Sequence, residues 1–288
     1  MARSAGVRYP RMSATDQTRP ADRDAEVVSP TRRTTAIDIF RLLPVQSVLP
    51  IGLLLLLWEL ASRTIPDLRV LLPSPTDAFV AAAELVQSGV LQRDIVASLQ
   101  RVFMALIVAS AIGFPVGLLI GMSKNAAWLL EPIFGFFRPI PPLAWIPLSI
   151  VWFGISEAQN VFIIFLGAFF PILVNTVQGV REVDRQLVRA ARTLGATRFD
   201  IAVTVLLPAA LPSMFVGFRV GVGIAWMALV AGELVAASSG LGFLISQGRM
   251  LFRPDYIIVG MVTIGLIGLV LDALVRLLQR VVMKWQEA

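Results

Sequence analysis

The chain has 288 residues, 57% of them apolar and 15% charged, with a net charge of +6, a balance that excludes an ordinary soluble domain and marks a polytopic membrane protein. It has no Cys and no His, which removes disulfides, zinc sites, and Cys or His nucleophile and proton-relay chemistry. Its two lysines, Lys124 and Lys284, lie in no G-x-x-x-x-G-K-[ST] pattern, so the chain has no phosphate-binding loop and any ATP must be bound by another subunit.

In chain order, residues 1–40 are rich in Arg, Pro, Ser, Thr and Asp, lack apolar periodicity, and read as a mobile basic tail. The first apolar run starts near Val45 with no A-x-A-like site after it, which argues against a signal peptide. A first transmembrane helix is predicted over residues 45–61, with Trp58 as an interface anchor. Residues 63–100 then form an extracytoplasmic segment, where Leu72-Pro73-Ser74-Pro75 is turn chemistry leading into an amphipathic helix over 78–87. The second span, 99–122, carries Gly113, Gly117 and Gly121 at four-residue intervals, a ladder that lets another helix approach closely in lipid.

Between residues 126 and 155, Pro139, Pro141, Pro142 and Pro147 share an apolar stretch with Arg138 and Trp145. One straight helix is excluded there, and the expectation is a cytoplasm-proximal helix, a proline-bent connection and a third span. Broken backbone at membrane depth is tolerated where it is buried in protein or lines a water-filled path, so Arg138, Pro141 and Trp145 are candidates for the border of a translocation path. The fourth span is predicted over 159–180, the fifth from after Pro212 to 236 and the sixth over 257–282. Arg219, about ten residues into the fifth span, falls near mid-membrane. It is expected to point into the bundle, toward an anionic solute or a structural partner such as a carboxylate on another helix. Glu233, about four turns later, is expected to gate or brace the outer mouth of the path.

Eight arginines lie in the first 41 residues, five run from Arg181 to Arg198, and Arg276, Arg280 and Lys284 lie near the end. Basic residues gathered between apolar spans follow the positive-inside rule and exclude a nucleic-acid surface. Six spans with the amino terminus inside place both termini, the Lys124 turn and the Arg181–Arg198 loop in the cytoplasm.

That loop, continuing to Pro212, reads as two short helices about a hinge. Leu187, Ala191 and Leu194 recur at helical spacing as a small apolar face, with Arg185, Arg189 and Arg192 largely off it. Gly195 ends the first helix, Thr197-Arg198-Phe199-Asp200 has the form of a capping box, and Pro208 is expected to stop the second helix. The product is a knob able to dock into a groove on a partner.

Ala190-Ala191, Gly195 four residues after Ala191, and Val205, Leu207 and Pro208, with Pro208 thirteen after Gly195, resemble the "EAA" loop of binding-protein-dependent ABC importer permeases. Arg189 stands where that family has its leading Glu. Leu72-Pro73-Ser74-Pro75, Ser98-Leu99-Gln100-Arg101-Val102, Arg138-Pro139-Ile140-Pro141, Trp152-Phe153-Gly154, Phe170-Pro171-Ile172 and Gly240-Leu241-Gly242 are similar to landmarks of its nitrate, taurine and alkanesulfonate branch. The resemblance covers residues 70–285. It implies an all-α membrane protein of about six transmembrane helices, with a methionine-importer-like permease fold and a cytoplasmic coupling helix. The chain then divides into the tail 1–40, the first helix and extracytoplasmic segment 41–98, and a permease core 99–285 with its coupling loop at 181–208.

The resemblance also implies contact with an ATPase through Leu187, Arg189, Ala190, Ala191, Leu194, Gly195, Ala196, Leu207 and Pro208. The implied partners are two ABC ATPase subunits that bind ATP and Mg, a second permease copy (most simply an identical one), an extracytoplasmic solute-binding protein and bacterial inner-membrane lipid. This chain would be a non-catalytic subunit with no cofactor or metal of its own, importing a small organic or inorganic anion. Two other classes make different demands. An ion-coupled secondary transporter calls for coupling carboxylates deep in paired broken helices, commonly within internal repeats, and neither is evident. An integral-membrane enzyme calls for convergent polar catalytic groups, which a chain without His or Cys supplies thinly.

Overall fold

The computed structural model describes residues 45–65 and 72–283; the expected tail 1–40 lies outside them. The described residues from Gly52 on form one compact unit, and of the other unit, Met1–Ile51, the described part is the beginning of α1. In order, the helices are α1 (Val45–Thr64), α2 (Pro75–Gln87), α3 (Val90–Met122), α4 (Lys124–Phe137), α5 (Ile146–Phe153), α6 (Glu157–Glu182), α7 (Arg185–Thr193), α8 (Arg198–Ile201), α9 (Leu207–Ala236), α10 (Leu241–Met250) and α11 (Pro254–Val282). A 3₁₀ turn, Pro142–Trp145, precedes α5, and a π-turn, Ala202–Leu206, joins α8 to α9.

Among the described residues, four helical runs are long and apolar enough to cross a membrane: α3, α6, Arg198–Ala236 and α11. The pair Lys124–Phe137 and Pro142–Phe153, bent by 84°, makes a fifth if taken as one broken span. α1 stands outside that set; its 20 residues reach about 30 Å, the thickness of a hydrocarbon core. Leucines 53 to 57 and the outer faces of α3 and α11 are exposed, as surfaces solvated by lipid tails should be.

α6 lies at the centre, packed along α3 on one side and α9 on the other. The glycine ladder explains how closely α3 approaches it. A Cβ added at Gly113 would lie 2.9 Å from Ile172 Cγ2, one at Gly117 2.6 Å from Thr176 Cβ, and one at Gly121 2.6 Å from Val180 Cβ. Gly179, Gly217 and Gly221 serve the α6–α9 contact in the same way. Small residues matter here because lipid tails are as apolar as leucine, leaving close packing to drive association. Gly117→Leu is therefore expected to cost about 1–3 kcal/mol or more by overpacking, read as earlier thermal unfolding of the detergent-solubilised protein. Gly223→Leu, at a site where a Cβ meets nothing within 4 Å, should leave unfolding unchanged.

Two expectations need correction. The helix and proline-bent connection expected before the third span are present as α4 and the 84° break, but the stretch after the break is not a span of its own: α5 has eight residues, about 12 Å, and the prolines on either side of Trp145 turn the chain. Pro208 does not stop the second loop helix. The chain widens into the π-turn, where Leu207 N–H bonds the Ala202 carbonyl five residues back. The proline ring then enters at the start of α9 without breaking the run, so the continuous helical run that carries the fifth span begins at Arg198 rather than after Pro212. The stretch after Gly240 carries a further helix, α10, whose Leu241, Leu244 and Ser246 are buried.

Candidate functional site

At the end of the bundle where α6 stops and α9 begins, α7 and α8 form a projecting knob. Asp184 caps α7 by accepting from Gln186 N–H at 2.8 Å. The helix closes in a Schellman motif: Ala196 N–H bonds the Ala191 carbonyl at 3.1 Å and Gly195 N–H bonds the Arg192 carbonyl at 3.0 Å. Gly195 makes this possible with φ +85°, in the left-handed region. The capping box forms as expected, with Thr197 Oγ1 accepting from Asp200 N–H and an Asp200 carboxylate oxygen accepting from Thr197 N–H.

The apolar face read from spacing is divided by packing. Ala191 turns inward with Val188 and Ala196 against a cluster of Val180, Ile201, Leu206, Ala210 and Met214. Leu187 and Leu194 face out instead, Leu194 being 88% exposed, and Phe199 joins them at 76%. Arg185, Arg189, Ala190, Arg192 and Arg198 are exposed around these apolar groups. Leu207 and Pro208 lie at the start of α9, where Leu207 packs on the inner cluster. The surface can take up an apolar contact and acidic groups together.

Midway along the bundle, the break between α4 and the 3₁₀ turn borders two cavities. One, of about 440 Å³, runs between α4 and α6; Glu131 and Arg181, which pair with each other, line it toward the knob, and Phe134 and Arg138 line it farther in. The other, of about 280 Å³, lies between the break, α6 and α9, and includes Arg138, Pro141, Gly167, Asn175 and Ile224. Trp145 lines neither; its ring packs among Phe137, Trp152 and Phe162, with centroids 5.8 to 6.4 Å away.

Arg219 is elsewhere, lining a cleft between α9 and α11. Its Nε donates to Asp272 Oδ1 at 2.9 Å, and Arg276 also pairs with Asp272 at 2.7 Å. Arg219→Gln leaves that carboxylate a partner, so a stability loss below about 1 kcal/mol is expected, measured as the unfolding temperature in detergent.

At the end of the bundle away from the knob lies a buried ionic brace. Arg101 of α3, 2% exposed, donates to both carboxylate oxygens of Glu157 at 2.6 Å, to Glu233 Oε1 at 2.7 Å and to the Ser239 carbonyl at 2.7 Å. Glu233, 1% exposed, also accepts from the Ser98 hydroxyl at 2.8 Å and from Gly242 N–H at 2.8 Å. Gly240, at φ +115°, passes so close to Glu233 that an added Cβ would lie 2.3 Å from Oε1. One guanidinium thus ties α3, α6, α9 and the loop into α10. Sequence reasoning singles out Glu233 but not its partner. The available signal is Arg101 itself, a cation inside an apolar run that would need a carboxylate.

Membrane-length helices around a glycine-packed centre, a proline-bent break halfway along the bundle and an exposed basic and apolar knob define a membrane-embedded transport subunit. Residues 113–286 match the family described as binding-protein-dependent transport system inner membrane component, and the chain belongs to that family, the non-catalytic permease subunits of ABC transporters. A probable ABC transporter permease protein of Brucella abortus (strain 2308) is 45% identical over 76% of this chain and 87% of its own length. The taurine transport system permease protein TauC of Escherichia coli (strain K12) is 35% identical, covering 83% of this chain and 90% of its own. The bicarbonate transport system permease protein CmpB of Synechococcus elongatus is 38% identical over 66% and 68%. An inward-facing structure of the MetNI methionine ABC transporter matches with a TM-score of 0.54 and 25% identity, covering 65% of this chain and 95% of that one. The all-helical, methionine-importer-like fold expected from the sequence is the fold observed.

Proposed function

We propose that this chain is the permease of an ATP-driven importer for a small anion of the sulfonate, taurine, bicarbonate or nitrate type. The observation that carries the proposal is the knob of α7 and α8, held rigidly to the bundle by its inner cluster while Leu187, Leu194 and Phe199 stay uncovered. In this reading residues 99–285 are the permease core, and two copies of the chain enclose the path. Each copy seats its 181–208 loop in an ATPase subunit that binds ATP and Mg. Closure of the ATPase pair moves the knobs, and the rigid α6–α9 packing carries that movement to the mid-depth break. The bundle then alternates between inward-facing and outward-facing forms, receiving solute from an extracytoplasmic binding protein. Both termini lie in the cytoplasm, and the membrane is the bacterial inner membrane.

Affinity capture tests this reading. The tagged chain is expected to retain an ABC ATPase encoded beside it, and the reconstituted complex with its binding protein to take up labelled taurine, bicarbonate or nitrate only with ATP. Failure to retain an ATPase in any nucleotide state would sink the proposal.

A further inference from the structure

The break between α4 and α5 holds a charge that the helix packing does not use. Arg138 lies level with Phe170 and Val174, halfway along α6, and with Val220 and Ile224, halfway along α9. An arginine at that depth is costly unless it meets a counter-charge or water, and the other cations lining clefts have found theirs. Arg181 is paired with Glu131 and Arg219 with Asp272, whereas Arg138 enters no ion pair among the described residues. Arg138, Phe170 and Val174 line both cavities, which therefore adjoin along these three residues. In the cavity nearer the middle of α9, Arg138 is the sole charged lining residue, and the remaining surface is apolar apart from Asn175. The Asn175 amide donates to the Pro171 carbonyl at 2.9 Å, which fixes its orientation.

We infer that Arg138 is the solute-contacting cation of the path, a waypoint that accepts the oxyanion end of a sulfonate, carboxylate or nitrate as it crosses mid-membrane. This rests on the importer reading for its solute, but the geometry stands without the ATPase. A guanidinium suits the task because its planar fork matches an oxyanion with paired donors. The cavity around it is largely apolar, which strengthens the attraction. The Glu131–Arg181 pair lines the adjoining cavity toward the knob, so an anion leaving Arg138 in that direction passes a second guanidinium already engaged by a carboxylate.

Because the chain has no cysteine, one introduced thiol reports alone. The experiment uses full-length Val174→Cys in phosphatidylcholine nanodiscs. It compares labelling rates for methanethiosulfonate ethylsulfonate, itself a small sulfonate, with those for its cationic trimethylammonium analogue. With rates normalised to Leu187→Cys on the exposed knob, which removes the reagents' different intrinsic reactivity, the anionic reagent is expected to be favoured. Adding Arg138→Gln should lower the anion-to-cation rate ratio about 10-fold, as focusing of charge in a low-dielectric cleft predicts, and Arg138→Lys should retain most of it. Excess ethanesulfonate should slow anionic labelling when Arg138 is intact, a measurement that needs no variant at the arginine. A Leu187→Cys control on the exposed knob should show a ratio indifferent to Arg138.

A ratio at Val174→Cys unchanged by Arg138→Gln would overturn the inference, as would failure of either reagent to reach the thiol. Loss of the anion preference in phosphatidylglycerol nanodiscs at Val174→Cys but not at Leu187→Cys would also overturn it, assigning the arginine to an anionic lipid headgroup. None of these readouts involves an ATPase, so failure of ATPase capture would remove the importer reading without touching the anion site.

Discussion

Gly195→Pro is expected to abolish retention of the ATPase subunit and reduce ATP-driven uptake to background while the chain still inserts in the membrane. Two features of the turn are lost together. Proline fixes φ near −65°, whereas Gly195 sits at +85°, and proline has no N–H to give the Arg192 carbonyl. The Schellman turn then cannot form, and Leu194 and Phe199, which belong to opposite sides of it, lose their common surface. Membrane insertion should survive because the turn lies outside the glycine-packed contacts of α3, α6 and α9. Gly195→Ala offers a graded comparison, since an alanine held in the left-handed region costs roughly 1–2 kcal/mol without losing the hydrogen bond. Retention should weaken there rather than vanish. Equal retention by the native chain and Gly195→Pro would mean that the partner docks elsewhere.

Arg101→Met should have the largest effect on stability. It removes the one cation that holds Glu157, Glu233 and the Ser239 carbonyl, and leaves Glu233 buried with only the Ser98 hydroxyl and Gly242 N–H. Breaking a buried ion pair from one side costs about 3–5 kcal/mol, because the remaining charge is uncompensated. The expected result is a much lower unfolding temperature in detergent and little recoverable protein. The double change Arg101→Met, Glu233→Gln should recover part of the loss, since an amide can keep neutral hydrogen bonds to Ser98 and Gly242 where a carboxylate needs a counter-charge. If the double variant is no more stable than the single one, the loss lies in arginine packing instead. Gly240→Ala tests the same junction sterically, by placing a methyl group 2.3 Å from a Glu233 oxygen.

What the sequence determined by itself was mostly local or periodic. Apolar runs marked the long helices because a bilayer demands about 20 apolar residues whatever their neighbours are. Gly195 and Thr197-Arg198-Phe199-Asp200 marked the turn and cap of the knob because those motifs close within a few residues. The spacing from Ala190 to Pro208 likewise identified the permease family. The Gly113, Gly117 and Gly121 ladder announced a close helix contact, but only the tertiary structure named Ile172, Thr176 and Val180 across it. Pro208 was misleading for a local reason: its missing N–H predicts a helix end, yet a π-turn supported by Ile201 and Leu206 in the packed cluster lets the helix run on. Leu187, Ala191 and Leu194 share a helical stripe in sequence, while packing against Val180, Ala210 and Met214 decides which of them is covered. The charges depended on tertiary structure most. Arg101 meets Glu233 across 132 positions and Arg219 meets Asp272 across 53, and among the described residues Arg138 stands without an ion pair where two cavities adjoin. A charge in a membrane helix declares in sequence that it needs a partner, but which group satisfies it depends on distances that only the folded bundle sets.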